Sequence, residues 1–190
     1  MKKVVLKSSS PRRKELLEKM NINFIINPFD VDETLDPNLN PKENVKRLGY
    51  KKAVVNKEMF PDYVQIGCDT IVVLDNKIYG KPHSKDDAYN MLKSLSGKMH
   101  YVMSGLCVVY HDIILNDVEV SKVYFKNLSD KDINDYIESG EPFGKAGAYA
   151  IQGIGGKLVD HYEGSLNNII GLPTEMLEVM LKEVDYYESK

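Results

Sequence analysis

The sequence predicts an α/β domain on a mixed sheet, and three features of its patterning carry that expectation. Amphipathic runs opened by Ser, Asn or Pro read as helices. β-Branched runs bounded by Gly or Asp-Asn read as strands. The two kinds intermix without a strict β-α-β alternation. Residues 4–6 form a short buried strand. Ser10 is a good N-cap and Pro11 suits the first helical position, after which Leu16, Leu17 and Met20 recur at helical spacing. Residues 23–39 are mixed, and "DVDETLDPN" reads as a loop. Asn40-Pro41-Lys42-Glu43 opens a second helix with an acidic third position; its stripe is Val45, Leu48 and Val55, and it runs to about residue 56. Two apolar bursts then flank Gly67-Cys68-Asp69-Thr70, and Asp75-Asn76 supplies a hairpin-like turn. Ser84 caps a helix with Ala88, Met91, Leu92 and Leu95 on one face and Gly97 at its end. Residues 99–110, 113–115 and 118–125 read as two or three antiparallel strands. Ser129 opens a helix that Gly140 closes. "GKAGAYAIQGIGG" is irregular and residues 157–162 read as a strand. The final helix follows Pro173 and carries Met176, Leu177, Met180, Leu181 and Val184.

With 190 residues, 43% of them hydrophobic, the chain suits one domain spanning 1–190 and is short for two. A net charge of −3 gives no global positive field, which disfavours nucleic-acid binding as the main role. Cys68 and Cys107 form no C-x-x-C pair and suit a reducing cytosol. Met1-Lys2-Lys3 resembles a signal n-region, but only Val4, Val5 and Leu6 precede Lys7, so no h-region follows. No later apolar run approaches the ~18 residues of a membrane span. The expectation is a cytoplasmic protein without a membrane partner.

The stretch "SSSPRR" places hydroxyls, helix N-terminal N–H groups and two guanidinium groups at one strand-to-helix junction. Those are the parts of a phosphate site. The plainer reading is an N-cap serine followed by two solvated arginines, which oppose the helix dipole at about 0.3–1 kcal/mol each. Asp69 and Thr70 lie between "VQIGC" and "IVVL", where a carboxylate needs a cation, a metal or a catalytic task. The plain alternative is an Asp at a bend after Gly67. Gly80-Lys81-Pro82 alone is a common turn. Glu33, in an acidic loop with Asp30 and Asp32, could help hold a hard cation, or be simply solvated. "GEPFGKAG" is not a P-loop: three residues separate Gly140 from Gly144 where four are required, and Ala146 stands where Ser or Thr must. His83, His100, His111 and His161 have no zinc spacing.

Together these segments resemble the Maf family of nucleoside triphosphate pyrophosphatases. "SSSPRR", "GCDT", "GKP", "SGEPFGKAGAYAIQG" and "GSLNNIIGLP" carry the likeness from about Val4 to the last helix. The resemblance implies an elongated α/β domain, a mixed, largely antiparallel sheet flanked by helices, a central nucleotide cleft as in inosine triphosphatases, and a homodimer. It also implies hydrolysis of a nucleoside triphosphate to monophosphate and pyrophosphate with a divalent metal, Mg²⁺ or Mn²⁺, in a house-cleaning role; some members were first associated with septum formation. Arg12, Thr70 and Gln152 match the branch that acts on dTTP and UTP and differ from the branch that acts on 7-methyl-GTP. Three departures stand out. Lys7 replaces a small residue and Leu166 a common Tyr, both resembling drift beside the site; Gly144 replaces an Asp, so a role for an acid there does not transfer.

On this reading Asp69 is the general base and a metal contact, and Glu33 a second carboxylate at the metal. Arg12, Arg13, Lys52 and Lys81 neutralise the triphosphate, Ser8 and Ser10 add neutral donors, and Thr70 belongs to the substrate set. Gln152 reads the N3–H and O4 edge of uracil or thymine with its carboxamide. Because an amide can flip to suit cytosine, rejecting CTP requires something that fixes it. The alternative class is a nucleotide-binding regulator of division without essential turnover. Asp69 argues against it, since a pure binder gains nothing from an anion beside phosphate.

Overall fold

The structure is a computed structural model that describes residues 1–188. In chain order the elements of the first half are β1 (Lys3–Leu6), α1 (Pro11–Lys19), β2 (Phe24–Ile26), α2 (Pro41–Val54), β3 (Tyr63–Leu74), β4 (Lys77–Tyr79) and α3 (Lys85–Leu95). The second half comprises β5 (Met99–Tyr110), β6 (Ile113–Phe125), α4 (Asp130–Glu138), β7 (Val159–Glu163), α5 (Leu166–Ile170) and α6 (Thr174–Glu183). The strands form one mixed seven-stranded sheet in the order β2-β1-β3-β5-β6-β7, with β4 paired to β3. No helix among the described residues is long and apolar enough to cross a membrane.

The chain divides into two compact units. The first comprises Met1–Thr70, Ser104–Glu119 and the residues from Gly171 onward; the second is Ile71–Met103 with Val120–Ile170. In the first unit β1 is parallel to both neighbours, with Leu6 opposite Ile26 of β2 and Ile66 of β3. Parallel pairing needs crossovers, and α1 and α2 supply the helices within them. Both helices start where the sequence placed them. The Ser10 side chain accepts the Arg13 N–H, and Asn40 and Glu43 form a reciprocal capping box. Leu17 of α1 and Val45 of α2 are fully buried, as are Val5, Leu6, Val64, Ile66 and Leu106 of the strands.

Glycines let α2 lie close on the sheet. A Cβ on Gly67 would come 2.3 Å from the Ala53 nitrogen, and one on Gly105 of β5 would come 2.0 Å from the Val45 carbonyl oxygen. Side chains at either position would push the helix off. Lys7 corrects its reading as drift: it is buried, and its Nζ donates to the carbonyls of Ala53 at 2.7 Å and Val55 at 2.6 Å, at the C-terminal end of α2.

In the second unit Asp75 and Asn76 form the turn joining β3 to β4, both with positive φ, as a tight hairpin demands. Ser84 caps α3, and Ser129 with Asp132 forms a capping box on α4. The apolar faces of these helices share a core with Val72, Leu74, Val102, Phe125 and Leu158. β7 is antiparallel to β6, with Lys122 opposite Glu163 and a register shift between Tyr124 and Phe125. Several boundaries differ from expectation. β7 starts at Val159, and two short elements, β2 and α5, were not foreseen; of the two or three strands expected over residues 99–125 there are two, β6 running unbroken through Asn116-Asp117.

Candidate active site

The first unit gathers eight of the predicted residues. Strand β1 ends at Leu6, and the chain then turns through Ser8 and Ser10 into α1. The Ser8 hydroxyl accepts the Ser10 N–H at 3.2 Å and a guanidinium N–H from Arg13 at 3.1 Å. Arg13 also donates through Nε to the Gly171 carbonyl at 2.8 Å and through Nη2 to Thr70 Oγ1 at 3.1 Å. Thr70 in turn bonds the Ser104 hydroxyl at 2.8 Å. Three of the five guanidinium N–H groups of Arg13 are therefore engaged by the protein itself. Arg13 ties the end of β1, the middle of β3 and Gly171 together. Arg12, its neighbour, lies half-exposed on the same first turn.

Asp69 and Lys52 follow from the close approach of α2. With Gly67 two residues before Asp69 and Ala53 packed on it, Lys52 Nζ reaches Asp69 Oδ1 at 2.6 Å. The same ammonium meets Glu33 Oε1 at 2.9 Å. The lysine and aspartate side chains are 14% and 13% exposed but Glu33 is 59% exposed, so one carboxylate of the pair is held inside and the other faces water. Burial works to lower the Lys52 pKa, but the Asp69 charge and the hydrogen bonds to Asp69 and Glu33 outweigh it, and the net shift is upward. The acidic loop is ordered on α2 rather than free. Arg47 donates to the Thr34 carbonyl at 2.6 Å and Lys51 to the Asp32 carbonyl at 3.1 Å, which brackets Glu33 between two anchored residues. Cys68, next to Asp69, is fully buried, and burial pushes its thiol pKa up; it is a wall, not a nucleophile.

No group of three or more His, Cys, Asp or Glu side chains suited to a metal exists among the described residues. What exists is a pair of carboxylates, Asp69 and Glu33, converging on one cationic nitrogen. Such an oxygen pair fits a hard divalent ion that takes its other ligands from water and phosphate.

Lys81 and Gln152 belong to the second unit, and both are exposed. Lys81 follows Gly80, whose carbonyl accepts the Gly147 N–H at 3.1 Å, so the "GKP" segment is tied to the glycine-rich loop. Gln152 lies in that loop, in a turn where the Gly153 N–H donates to the Ala150 carbonyl at 3.2 Å. Sequence reasoning missed Ser104 and Gly171 as partners of Thr70 and Arg13. Ser104 sits inside an ordinary apolar strand, and Gly171 acts through its backbone carbonyl, so neither left a side-chain signal.

A family model described as "Maf-like protein" matches residues 3–184. A protein of Caldicellulosiruptor saccharolyticus named "dTTP/UTP pyrophosphatase" is 47% identical over 98% of this chain and 96% of its own length. One of the same name from Alkaliphilus oremlandii is 45% identical over 96% of each chain, and one from Clostridioides difficile is 43% identical over 95% of this chain and 94% of its own.

Proposed function

Because the chain belongs to the Maf family, we propose that it hydrolyses dTTP and UTP to the nucleoside monophosphate and pyrophosphate. The names its relatives carry support that substrate class. The observation that carries the reading within this chain is the Asp69 carboxylate, set in a strand at 2.6 Å from Lys52, with Glu33 on the same ammonium.

The reaction needs a water in line with the α-phosphorus and neutralisation of the triphosphate. Asp69 orients that water and takes its proton as the oxygen attacks. The bond from the α-phosphorus to the bridging oxygen breaks, and pyrophosphate leaves with the electron pair. Lys52 holds the Asp69 carboxylate in place and, with Arg12 and Lys81, supplies positive charge toward phosphate. The Ser8 and Ser10 hydroxyls and the first N–H groups of α1 add neutral donors. Arg13 acts chiefly by fixing Ser8 and Thr70. Asp69 and Glu33 would hold a divalent cation, which when bound supplies further charge against the phosphate oxygens. Gln152 contacts the N3–H and O4 edge of the base.

The test is release of pyrophosphate from dTTP, UTP, CTP, dATP and GTP, with and without Mg²⁺. Turnover of dTTP and UTP ahead of the others, with dTMP and UMP as co-products, is the expected result. Tight binding of dTTP without turnover would replace this reading with that of a nucleotide-binding regulator.

A further inference from the structure

The turn that carries Gln152 is gripped on both sides by one carboxylate and one phenol. Glu141 follows α4, and its Oε1 accepts the Ile154 N–H at 2.9 Å while its Oε2 accepts the Gly155 N–H at 2.8 Å. The same Oε2 accepts the Tyr136 hydroxyl at 2.5 Å, and the Tyr136 oxygen accepts the Ala150 N–H at 3.2 Å. Ala150 stands two residues before Gln152, and Ile154 and Gly155 stand two and three after. The pair thus closes a bracket across residues 151–153.

The glycines of the turn match this arrangement. A Cβ on Gly153 would fall 1.9 Å from Glu141 Oε1, and one on Gly155 would fall 2.6 Å from the Tyr136 hydroxyl. The space that side chains would take is filled by the clamp. Tyr136 is rooted in the core of the unit at 4% exposure, so the bracket is anchored to a packed helix. Burial raises the Glu141 carboxyl pKa, but hydrogen bonds from Tyr136, Gly155 and Ile154 outweigh it, and the net direction is down. The Glu141 carboxylate stays ionised at neutral pH, an acceptor for all three donors. No other part of the reaction set out above uses either residue.

We propose that Glu141 and Tyr136 are positioning residues for base recognition, fixing the backbone of the turn so that Gln152 meets the pyrimidine edge. The inference rests on the reading of Gln152 as the base contact. Replacing Glu141 by Gln is nearly isosteric, but one carboxylate oxygen becomes an NH₂ group. In the Oε2 position it would face the donors of Gly155 and Tyr136, and the bracket would open. Tyr136→Phe keeps the ring in the core and removes the hydroxyl with its two links, to the Ala150 N–H and to Glu141 Oε2, while both Glu141 bonds to the turn remain.

A double-mutant cycle separates positioning from general support of the fold. The variants are Glu141→Gln, Tyr136→Phe, Gln152→Ala and the pairs with Gln152→Ala, assayed for kcat and KM on dTTP, with thermal melts to show folding. The expected result is a loss of about tenfold in kcat/KM for Glu141→Gln, carried by KM, which shrinks to less than about twofold in the Gln152→Ala background. Tyr136→Phe follows the same pattern with a smaller loss, and it decides the matter should Glu141→Gln fail to fold. An equal loss in both backgrounds overturns the positioning role and leaves the Gln152 assignment standing. A Gln152→Ala protein with wild-type kcat/KM overturns the base assignment itself, and the inference with it.

Discussion

Asp69 and Lys52 are carried by a strand and a helix, whereas Gln152 is carried by an irregular turn, and the two are held by different physics. In the first unit, Gly67 and Gly105 let backbone meet backbone, so α2 packs directly on the main chain of β3 and β5. The side chains are then joined to each other: ammonium to carboxylate, guanidinium to hydroxyl. In the second unit no regular element sets the position of Gln152. Backbone N–H groups of the turn are instead captured by the Glu141 carboxylate and the Tyr136 phenol. On the proposed reading, the general base and the lysine that holds it sit on packed elements, and the residue assigned to the base edge sits on a turn, where alteration need not disturb the chemistry.

The sharpest contrast is expected between Asp69→Asn and everything else. The amide can neither take a proton at neutral pH nor bind a cation well, so kcat should fall by about 10²–10⁴ with folding intact. Near-normal turnover by the purified variant would remove Asp69 from catalysis.

Arg12 and Arg13 divide the first unit internally. Arg12→Ala should weaken dTTP binding by about 1.5–3 kcal/mol, the worth of a charge-assisted hydrogen bond, with little change in Tm. Arg13→Ala should lower Tm as well, because it releases Ser8, Thr70 and the Gly171 carbonyl together. Equal melts for both variants would mean that the Arg13 contacts carry no stability.

Gln152→Glu presents two acceptors to a base edge that itself contains one. It should cost about 1–3 kcal/mol in kcat/KM for dTTP and UTP, while weak activity on guanine triphosphates holds or rises. An equal loss on all four of dTTP, UTP, CTP and 7-methyl-GTP would assign Gln152 to the fold of the loop.

The last contrast concerns stability alone and belongs to Lys7, a cation of the first unit outside the chemistry. Burial, opposed by Glu58, lowers its pKa from 10.5 to about 8. Below pH 8 the ammonium is charged in both states and its burial costs stability in full. Between about 8 and 10.5 the unfolded chain holds a proton that the folded one has released, so stability rises with pH. Urea unfolding across that window should show the wild type gaining on Lys7→Met. A constant difference would mean the Lys7 ammonium is not desolvated.

Helix starts were legible because their signals are local: Ser10, Asn40, Ser84 and Ser129 each bond a backbone N–H three residues on. β2 escaped notice because three half-exposed or exposed residues show no alternation, and its pairing with β1 is a tertiary event. The local pattern leaves open whether Asn116-Asp117 breaks a strand, and β6 runs extended through it beside β5. In the site, Asp69 announced itself as a carboxylate inside an apolar strand. Lys52 entered only through the family resemblance, and its pairing with Asp69 was not foreseen, since a lysine on an amphipathic helix is ordinary until the packing of α2 is known. Glu141 was hidden for the same reason: its role lies in backbone groups thirteen and fourteen residues away.

The separation of chemistry from base selection is tested most directly by the ratio of kcat/KM for dTTP to that for CTP in Asp69→Asn. The expected outcome is turnover reduced by about 10²–10⁴ with that ratio within about twofold of wild type, since independent groups contribute additively. A ratio that collapses together with turnover, or turnover close to wild type, would contradict it.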